Sequence, residues 1–531
     1  MSHHPDHHHA PGGCFVCAGT DGSSDDSSAT SVARRRFLKS ALAAPLALPA
    51  ALSLNHPAQG AGAGERDKAP GSDTFVVDAG LALLPEGDQQ VVRRGVSILV
   101  RQGLIEAVSD KPVRGEHRID ARSQLVVPGF ISGHTHAASA TPTRGIIESG
   151  RSFARPLELV ETLSDDELDA LTAFNVAELL LGGSTTHLEM SLSLRQAQSY
   201  VRVARRWGVR GYPGGMVPGI DRLFPIWFRN DDKVLMESEA GTLAEIEANL
   251  AFARSINGAE SGRLLPQMTP HAADTQTPAT MQAFARGAQE LGNGIHIHLS
   301  QSKRETETVK RLWGMTPTAW CRQHGFFEGP FFGAHMTGLD FGTDPQILNA
   351  AGAVYSHCPS GGGAGGPTQP YPEALAAGMK VNIGIDTHSN DYLENLKLAV
   401  LYGQARHSLL VETSPVPLIA PTMRDAIAGA TVVAAEGLGR SDLGRIAPGA
   451  RADLVGIEVS GPLVGTGALP PEPLNNLLYA NGFSTRFVCT DGNIQVYDGQ
   501  FVADDLARVS RAGGEVVRGI WETLAAEGWF D

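Results

Sequence analysis

The 531-residue chain has few cysteines and no excess of positive charge. Of its 5 cysteines, three lie beyond the first 63 residues, namely Cys321, Cys358 and Cys489. This odd number argues against a disulfide framework. The 43 Lys and Arg are outnumbered by 57 Asp and Glu, giving a net charge of -14, whereas nucleic-acid binding needs a basic face. We therefore expect neither a disulfide scaffold nor a nucleic-acid partner.

The sequence also lacks a long uninterrupted hydrophobic run near its beginning. The stretch from Ala41 to Leu54 is broken by Pro45 and Pro49, and it is too short to cross ~30 Å of hydrocarbon. It follows RRRFLK, residues 34–39, which resembles the twin-arginine export motif. We interpret residues 1–63 as a leader and twin-arginine signal peptide. After its removal we expect no integral membrane segment. The export motif predicts a periplasmic or secreted protein.

The rest of the sequence shows two different patterns of apolar residues. Residues 64–128 and 441–531 contain short strand-like apolar runs, such as VSILVRQGLIEAVSD and RFVCTDG. Residues 129–440 alternate short apolar runs with stretches of helical periodicity, such as DDELDALTAFNVAELLLGG. The terminal segments form either two separate small domains or two halves of one β-sandwich. The alternation in the middle predicts a parallel sheet.

The middle segment contains eight candidate strands: VPGFISGHTH, GSTTHLEM, VRGYPGGM, RLLPQMTPHA, GIHIHLS, FFGAHM, AVYSHCP and VNIGID. Eight strand–helix units are the content of a (β/α)8 barrel. Nearly every candidate strand ends on His, Asp or Glu, and this barrel builds its active site from the carboxyl ends of its strands. The pattern therefore predicts a catalytic mouth.

Four of these strand ends carry groups that bind transition metals. His134 and His136 are two residues apart in one strand, so their side chains project from the same face. His298 closes the fifth strand, His335 the sixth and Asp386 the eighth. Imidazoles with one carboxylate suit Zn²⁺ or Fe²⁺ and leave a coordination position open for water. The sequence therefore predicts a metal-dependent active site.

Several motifs in this order resemble those of one known family. VVPGFISGHTH, IHIHLS, GAHM, SHCPS and NIGID are similar to motifs of the amidohydrolase superfamily, in the branch that contains atrazine chlorohydrolase, cytosine deaminase and S-adenosylhomocysteine deaminase. The likeness covers most of residues 74–505. It implies an α/β fold, a distorted (β/α)8 TIM-type barrel flanked by a small β-sandwich that the N- and C-terminal segments form.

The resemblance also implies roles for individual residues. The family's metal ligands match four residues of this chain: His134, His136, His298 and Asp386. His335 matches the histidine near the metal-bound water, and His271, in a Pro-His motif, matches a residue that faces substrate. The segment RLLPQMTPHAADT lacks the Lys that bridges two metals in binuclear members. We therefore expect one divalent transition metal, with Zn²⁺ as the first choice and Fe²⁺ as the alternative.

In the expected reaction metal-bound hydroxide attacks the substrate, Asp386 acts as general base and His335 stabilises the developing oxyanion. One departure from the family concerns the leaving group. Deaminases of this branch have a Glu three residues after the fifth-strand His, where this chain has Gln301. An amide cannot shuttle a proton at neutral pH, so Gln301 argues against aromatic-ring deamination. His388, after the eighth strand, either supplies that proton or is only a loop residue.

Several further residues receive expectations at this stage. We expect Gln301 and His357 to contact substrate together with His271. Glu305 matches a family Glu that is usually structural. His296 shares the strand face of His298 and either contributes to the site or packs beside it. His187 and Glu189 on the second strand are expected to give structural support.

We therefore expect an exported, mononuclear metal-dependent hydrolase that cleaves a carbon–nitrogen bond in an amide, carbamate, urea or cyclic amide. One rival is a deaminase or dechlorinase of an N-heterocycle. The other is a non-catalytic barrel that binds metal or ligand, against which the intact donor set argues. The expected partner is a small-molecule substrate, and family habit suggests a homodimer or a higher homo-oligomer.

Overall fold

The computed structural model describes residues 73–87, 89–115, 117–229, 232–361 and 368–530. The predicted leader and its RRRFLK motif lie outside these residues. No helix in the described ranges combines the length and the apolar character that a membrane crossing requires.

The strands follow the chain as β1 (Thr74–Glu86), β2 (Gln89–Arg101), β3 (Leu104–Ser109), β4 (Arg118–Pro128), β5 (Phe130–Thr135), β6 (Ser184–Ser191), β7 (Arg210–Gly215), β8 (Ile295–Leu299), β9 (Phe331–His335), β10 (Val354–His357), β11 (Lys380–Ile383), β12 (Leu454–Glu458), β13 (Thr485–Thr490), β14 (Asn493–Tyr497) and β15 (Gln500–Phe501). The α-helices are α1 (Ala154–Glu161), α2 (Asp165–Leu181), α3 (Leu194–Trp207), α4 (Ile220–Arg229), α5 (Asp232–Ile256), α6 (Ala259–Gly262), α7 (Pro278–Leu291), α8 (Lys303–Trp313), α9 (Pro317–Gln323), α10 (Asp344–Ala351), α11 (Tyr371–Ala376), α12 (Tyr392–Leu410), α13 (Met423–Ala428), α14 (Ala434–Gly437), α15 (Pro473–Asn476) and α16 (Leu506–Ala526).

The strands of the two terminal segments form one eight-stranded sheet in the order β15-β14-β13-β12-β4-β1-β2-β3. β4 and β12 pair in antiparallel orientation, with Val127 opposite Val455, and this pairing joins the two segments. Both side chains are fully buried. The terminal segments are therefore parts of one sheet and not two separate domains.

This sheet folds back on itself around an apolar core. The ring centroids of Phe75 on β1 and Phe487 on β13 are 6.3 Å apart. Two strands lie between β1 and β13, so a flat sheet would hold them roughly 14 Å apart at ~4.8 Å per strand. Both rings belong to one buried cluster that includes Ile98 and Ile446. The arrangement confirms the β-sandwich that the sequence predicts.

The middle segment forms a barrel of parallel strands. β5, β6 and β7 make one sheet, β8 to β11 make another, and a bridge between Thr135 and Asp386 joins β5 to the end of β11. Between β7 and β8, residues 264–272 bridge both neighbours in parallel orientation: Gly211 with Leu264, Val217 with Pro270, Met268 with Ile295, and Ala272 with His298. The seven strands β5 to β11 and residues 264–272 together make eight barrel positions. They close the ring and confirm the (β/α)8 barrel.

The fourth barrel position corrects one detail of the prediction. RLLPQMTPHA was expected to form a strand, but the structure has only the isolated bridges there. Pro266 and Pro270 account for this, because proline has no backbone N–H to donate to a ladder. The other seven predicted barrel strands are found as β5 to β11.

A buried ion pair holds the barrel against the sheet. Arg210, the first residue of β7, is completely buried, and its guanidinium donates to Asp453 and Asp491, each at 3.0 Å. Both carboxylates come from the C-terminal segment of the chain. A buried guanidinium needs such partners because desolvation of an unpaired charge is costly.

Candidate metal centre

The four predicted ligands meet at the carboxyl ends of the barrel strands. His134 lies in β5 and His136 directly after it, His298 lies in β8, and Asp386 follows β11. One ligand atom from each of the three imidazoles lies within 4.8 Å of the others. Each of the four side chains is at most 1% exposed. Segments far apart in the sequence thus bring three nitrogens and a carboxylate to one buried point.

Asp386 faces the histidines with both of its oxygens. Its Oδ1 lies 3.5 Å from His136 Nε2 and 4.0 Å from His134 Nε2. Its Oδ2 lies 3.9 Å from Nε2 of His335, the last residue of β9. The carboxylate therefore stands between the predicted ligands and the histidine that was predicted to lie beside the reacting water.

The backbone leaves regular strand geometry at these residues. Asp386 has φ +64° and His335 has φ +73°, both in the left-handed region. Such conformations cost a non-glycine residue about 1 to 3 kcal/mol and persist where the surrounding structure enforces them, commonly at functional sites. They turn the two side chains out of the alternating strand pattern and towards the other donors.

Hydrogen bonds to backbone carbonyls set the tautomers of two imidazoles. Nδ1 of His136 lies 2.5 Å from the carbonyl of Met190, and Nδ1 of His298 lies 2.7 Å from the carbonyl of His271. A carbonyl oxygen only accepts, so both Nδ1 atoms carry the proton. The lone pair of each ring is then on Nε2, the atom that faces the other donors. Metal-binding histidines are held in this way by their second nitrogen.

His134 is held by another histidine. Its Nδ1 lies 2.8 Å from Nε2 of the buried His296, and the ring centroids are 4.9 Å apart. Of the two sequence-based alternatives, the geometry favours a contribution to the site, because His296 orients His134 as the backbone carbonyls orient His136 and His298.

The protonation state and unsatisfied atoms of this group fit a divalent transition metal. Among the described residues, the buried His134 Nε2, His136 Nε2 and Asp386 Oδ2 have no hydrogen-bond partner. Burial lowers the pKa of His134, His136 and His298, and it lowers the pKa of His335 to about 4 although Asp386 opposes the shift. The rings are therefore neutral at neutral pH, which is the form that binds a metal. Buried lone pairs without a partner are costly unless a cation occupies the site.

β6, the second strand of the barrel, supports the metal-binding residues. Glu189 accepts hydrogen bonds from the backbone N–H of Ala137 at 2.9 Å and from the hydroxyl of Thr135 at 2.8 Å. His187 contacts the hydroxyl of Tyr200 at 3.0 Å. These contacts give both residues the supporting role expected from the sequence, with Glu189 fixing the backbone on either side of His136.

His271 lies beside the ligand group and under an aromatic wall. Its ring centroid is 5.2 Å from that of His298 and 5.2 Å from that of Trp227. Its Nδ1 contacts Thr275, whereas Nε2 is buried and has no partner in the described part of the chain. Burial lowers the pKa of His271 to about 3, so the ring is neutral. This position agrees with a substrate-facing residue.

Gln301 follows β8 and contacts Glu305 through its backbone. The Gln301 N–H donates to Glu305 at 2.6 Å, and the other oxygen of Glu305 accepts from the Ala273 N–H at 3.3 Å. Burial and the nearby Asp274 raise the pKa of Glu305 well above its usual range. Glu305 thus ties the fourth and fifth barrel loops together, which fits its expected structural role. The side-chain amide nitrogen of Gln301 is buried without a partner among the described residues.

His357 ends β10 on the other side of the site. Its Nδ1 lies 2.8 Å from the side-chain oxygen of Gln369, and this oxygen accepts a hydrogen bond from Nδ1–H. Burial lowers the pKa of His357 to about 3. The neighbouring Cys358 places its sulfur within 4.8 Å of ligand atoms of His134 and His335, and burial raises the pKa of this thiol well above its usual range. A neutral thiol is a weaker ligand than the imidazoles.

His388 lies next to the same group, and it has a partner that the sequence analysis missed. Its Nδ1 is 3.1 Å from a carboxylate oxygen of Glu148, in the loop after β5. His388 lies two residues after Asp386 in the sequence. Glu148 and His388 are 240 positions apart. In the sequence, only the position of Glu148 in the loop after the HxH strand could have suggested this contact.

Comparison with known proteins agrees with the fold. Residues 125–494 match the Amidohydrolase family. The 5-methylthioadenosine/S-adenosylhomocysteine deaminase of Symbiobacterium thermophilum is 30% identical over 473 residues, which cover 84% of this chain and 100% of that protein. The protein of the same name from Desulfitobacterium hafniense is 29% identical over 421 residues, covering 76% and 88%.

Solved structures show the same architecture. Atrazine chlorohydrolase from Arthrobacter aurescens, complexed with zinc, has a TM-score of 0.69 at 21% identity, covering 83% of this chain and 100% of that chain. An adenosine deaminase from Xanthomonas campestris with bound zinc has a TM-score of 0.67 at 19% identity, covering 84% and 98%. With residues 125–494 matched, the chain belongs to the amidohydrolase family, and the predicted enzyme class, a hydrolase acting on carbon–nitrogen bonds, is confirmed.

Proposed function

We propose that the chain is an exported, mononuclear metal-dependent hydrolase that cleaves an amide, carbamate, urea or cyclic amide. The observation that carries this proposal is the buried convergence of four donor groups: His134, His136, His298 and Asp386. Zinc in two structural neighbours supports a divalent transition metal, with Zn²⁺ ahead of Fe²⁺. The absence of Lys from residues 263–275 supports a single ion.

The chain's own residues have separate roles in this proposal. A divalent cation held by the four donors would lower the pKa of a coordinated water towards ~7 and polarise the substrate. Asp386 accepts the proton of the attacking water at Oδ2, which has no hydrogen-bond partner in the described ranges. His335 Nε2, 3.9 Å from that oxygen, donates a hydrogen bond to the negative charge that develops on the substrate.

The leaving nitrogen needs a proton, and we propose that His388 supplies it, after accepting at Nε2 the proton that Asp386 takes from the attacking water. Its Nε2 is buried and has no partner among the described residues, while its Nδ1 is engaged by Glu148. Gln301 stands where a carboxylate would be expected in ring deaminases, and an amide cannot deliver a proton. His271, Gln301 and His357 would then contact substrate, with Trp227 forming one wall beside His271.

Deamination of an N-heterocycle is the second candidate. The similar proteins from Symbiobacterium thermophilum and Desulfitobacterium hafniense are both called deaminases, and this supports it. Gln301 opposes it because the proton shuttle would then depend on His388 or His335 alone. The two candidates differ in the product that carries the nitrogen.

A product panel distinguishes these functions. Purified metal-loaded protein is assayed with amides, carbamates, ureas, lactams, aminated purines and pyrimidines, and a chlorinated triazine, and the release of carboxylate, ammonia and chloride is measured. We expect carboxylate or amine release from the first group. Strong ammonia release from the aminated rings would replace our proposal by the deaminase, and chloride release would indicate the dechlorinase. Metal binding without turnover of any compound would support the non-catalytic barrel.

Changing Gln301 to Glu tests the argument on reaction type. We expect Gln301→Glu to leave the primary activity unchanged or to lower it by up to about tenfold, because a new carboxylate beside the centre competes for the water proton and shifts nearby pKa values. The same variant should gain weak ammonia release from an aminated ring. Gln301→Asn, which keeps the amide, is the control. A large gain in the primary activity of Gln301→Glu would contradict the assigned route of the proton.

Export through the twin-arginine route rests on Arg34 and Arg35. Replacing both with Lys should leave the protein in the cytoplasm, because Lys keeps the charge but lacks the planar guanidinium that the signal requires. Fractionation of cells followed by immunoblotting measures the result. Arg36→Lys, at the variable position of RRRFLK, is the matched control and should be exported normally. Normal export of the double variant would contradict the proposed localisation.

A further inference from the structure

His388 is held from one side by Glu148, a carboxylate in the loop after β5. Its Nδ1 lies 3.1 Å from Oε1 of Glu148. The hydrogen bond to His388 lowers the pKa of Glu148 to about 2, so the carboxylate is charged at neutral pH. A carboxylate only accepts hydrogen bonds, and the proton of this contact therefore belongs to His388 Nδ1. The opposite nitrogen, Nε2, is buried without a partner among the described residues.

Glu148 is itself fixed at its second oxygen. Oε2 accepts the backbone N–H of Gly145 at 2.8 Å, within the same loop after β5. One oxygen is thus committed to the loop and the other to His388. A carboxylate with both oxygens engaged has little freedom to rotate, so the direction of the hydrogen bond to His388 is also fixed.

A second contact ties the two loops together independently of Glu148. Arg144 donates from Nε to the backbone carbonyl of His388 at 3.1 Å and pairs with Glu178 on α2 at 2.6 Å. Asn390 donates to the same Glu178 at 2.8 Å. The backbone around His388 is therefore held by Arg144, Glu178 and Asn390. What Glu148 adds is control of the imidazole ring.

We propose that Glu148 is a positioning residue that holds His388 with a proton on Nδ1, so that Nε2 is free to accept the proton that Asp386 takes from the attacking water and then to pass it to the substrate's leaving nitrogen. This inference rests on the proposed function, because it assigns a task to the residue that we propose supplies the proton. Without Glu148 the ring can rotate and either nitrogen can carry the proton. A fixed tautomer and ring orientation are what a carboxylate provides to a catalytic histidine in other hydrolases.

The kinetic test uses Glu148→Ala and Glu148→Gln. We expect Glu148→Ala to lower kcat about 10- to 100-fold with KM within about twofold, in line with losses of supporting carboxylates at other sites. Glu148→Gln keeps an oxygen acceptor for Nδ1–H, so it should recover most of kcat. Ser149→Ala is the matched control, because Ser149 also makes a hydrogen bond within this loop, to the carbonyl of Ile146 at 2.7 Å, and does not contact His388. It should retain wild-type kcat.

A double-variant comparison separates positioning from general damage to the loop. If Glu148 acts through His388, adding Glu148→Ala to His388→Ala should cause no further loss of kcat. A further loss of the same size as in the wild-type background would overturn the proposal. So would equal kcat values for Glu148→Ala and Ser149→Ala, or a Glu148→Gln variant as slow as Glu148→Ala.

A measurement that does not depend on turnover keeps this inference distinct from the proposed function. Nitrogen-15 NMR of histidine-labelled protein, with the His388 signals identified by their absence from His388→Ala, reports which ring nitrogen carries the proton. We expect Nδ1–H in the wild type and in Glu148→Gln, and a mixture or Nε2–H in Glu148→Ala. The same tautomer in wild type and Glu148→Ala would overturn the inference. An enzyme without C–N hydrolysis but with this tautomer dependence would refute the proposed function alone.

Discussion

Replacing His136 with Ala should abolish turnover and reduce bound metal well below one ion per chain. His136 contributes one of three imidazoles whose ligand atoms lie within 4.8 Å of each other, and its Nε2 is 3.5 Å from Asp386. Removing it leaves a site with two imidazoles and a carboxylate. His134→Ala and Asp386→Ala should have the same effect, because the four donors bind one ion together.

Metal content by plasma emission spectroscopy and activity by the product panel measure this effect. His117→Ala is the control, because His117 is exposed and its backbone carbonyl accepts from the N–H of Val76 on β1, in the terminal sheet and outside the barrel, so this variant should keep both metal and activity. Thermal unfolding of each variant, measured with and without added metal, separates loss of the site from loss of the fold. A His136→Ala variant with wild-type metal content and rate would remove His136 from the ligand set.

Replacing His388 with Ala should lower kcat by about 10² to 10⁴ while the metal content remains that of the wild type. This is the usual contribution of a general acid or base in the reacting position. His388 lies two residues after Asp386 but is not among the described residues whose donor atoms converge on the centre. In His388→Ala we therefore expect kcat to fall while the metal content stays constant. In His136→Ala we expect both kcat and metal content to fall.

The leaving group gives this prediction a second measurement. Substrates whose leaving nitrogen is a weak base need less help from an acid, so the loss in His388→Ala should shrink as the leaving amine becomes more acidic. An unchanged kcat would return His388 to the role of a loop residue and leave Asp386 to move the proton alone. A loss of metal equal to that of His136→Ala would instead make His388 a ligand.

The barrel and its donors could be predicted because their signals are local. Alternation of apolar runs with helical periods identified seven strands within a few residues of where they occur, and the His and Asp at strand ends meet because parallel strands share one carboxyl edge. The prediction of a fourth barrel strand was wrong because Pro266 and Pro270 interrupt the ladder of backbone hydrogen bonds. The apolar pattern of that segment did not reveal the missing N–H groups.

Other features depend on tertiary contacts that no local pattern contains. The β4–β12 pairing, which decides between one sheet and two domains, is a register between segments at the two ends of the described chain. The contact of Glu148 with His388 joins two irregular loops, and neither loop has a periodicity from which the direction of its side chains follows. The contact of His296 with His134 crosses from β8 to β5. In each case no local pattern in the sequence predicted which residues would be in contact.

Removal and return of the metal shows whether one bound ion is required for activity. Purified protein is stripped with a chelator, reloaded with measured amounts of Zn²⁺ and assayed with the best substrate of the panel. We expect activity to disappear with the metal and to return in proportion to the zinc bound, with its maximum at one ion per chain. Full activity in protein with no transition metal, or a maximum reached only at two ions per chain, would contradict a mononuclear centre built by His134, His136, His298 and Asp386.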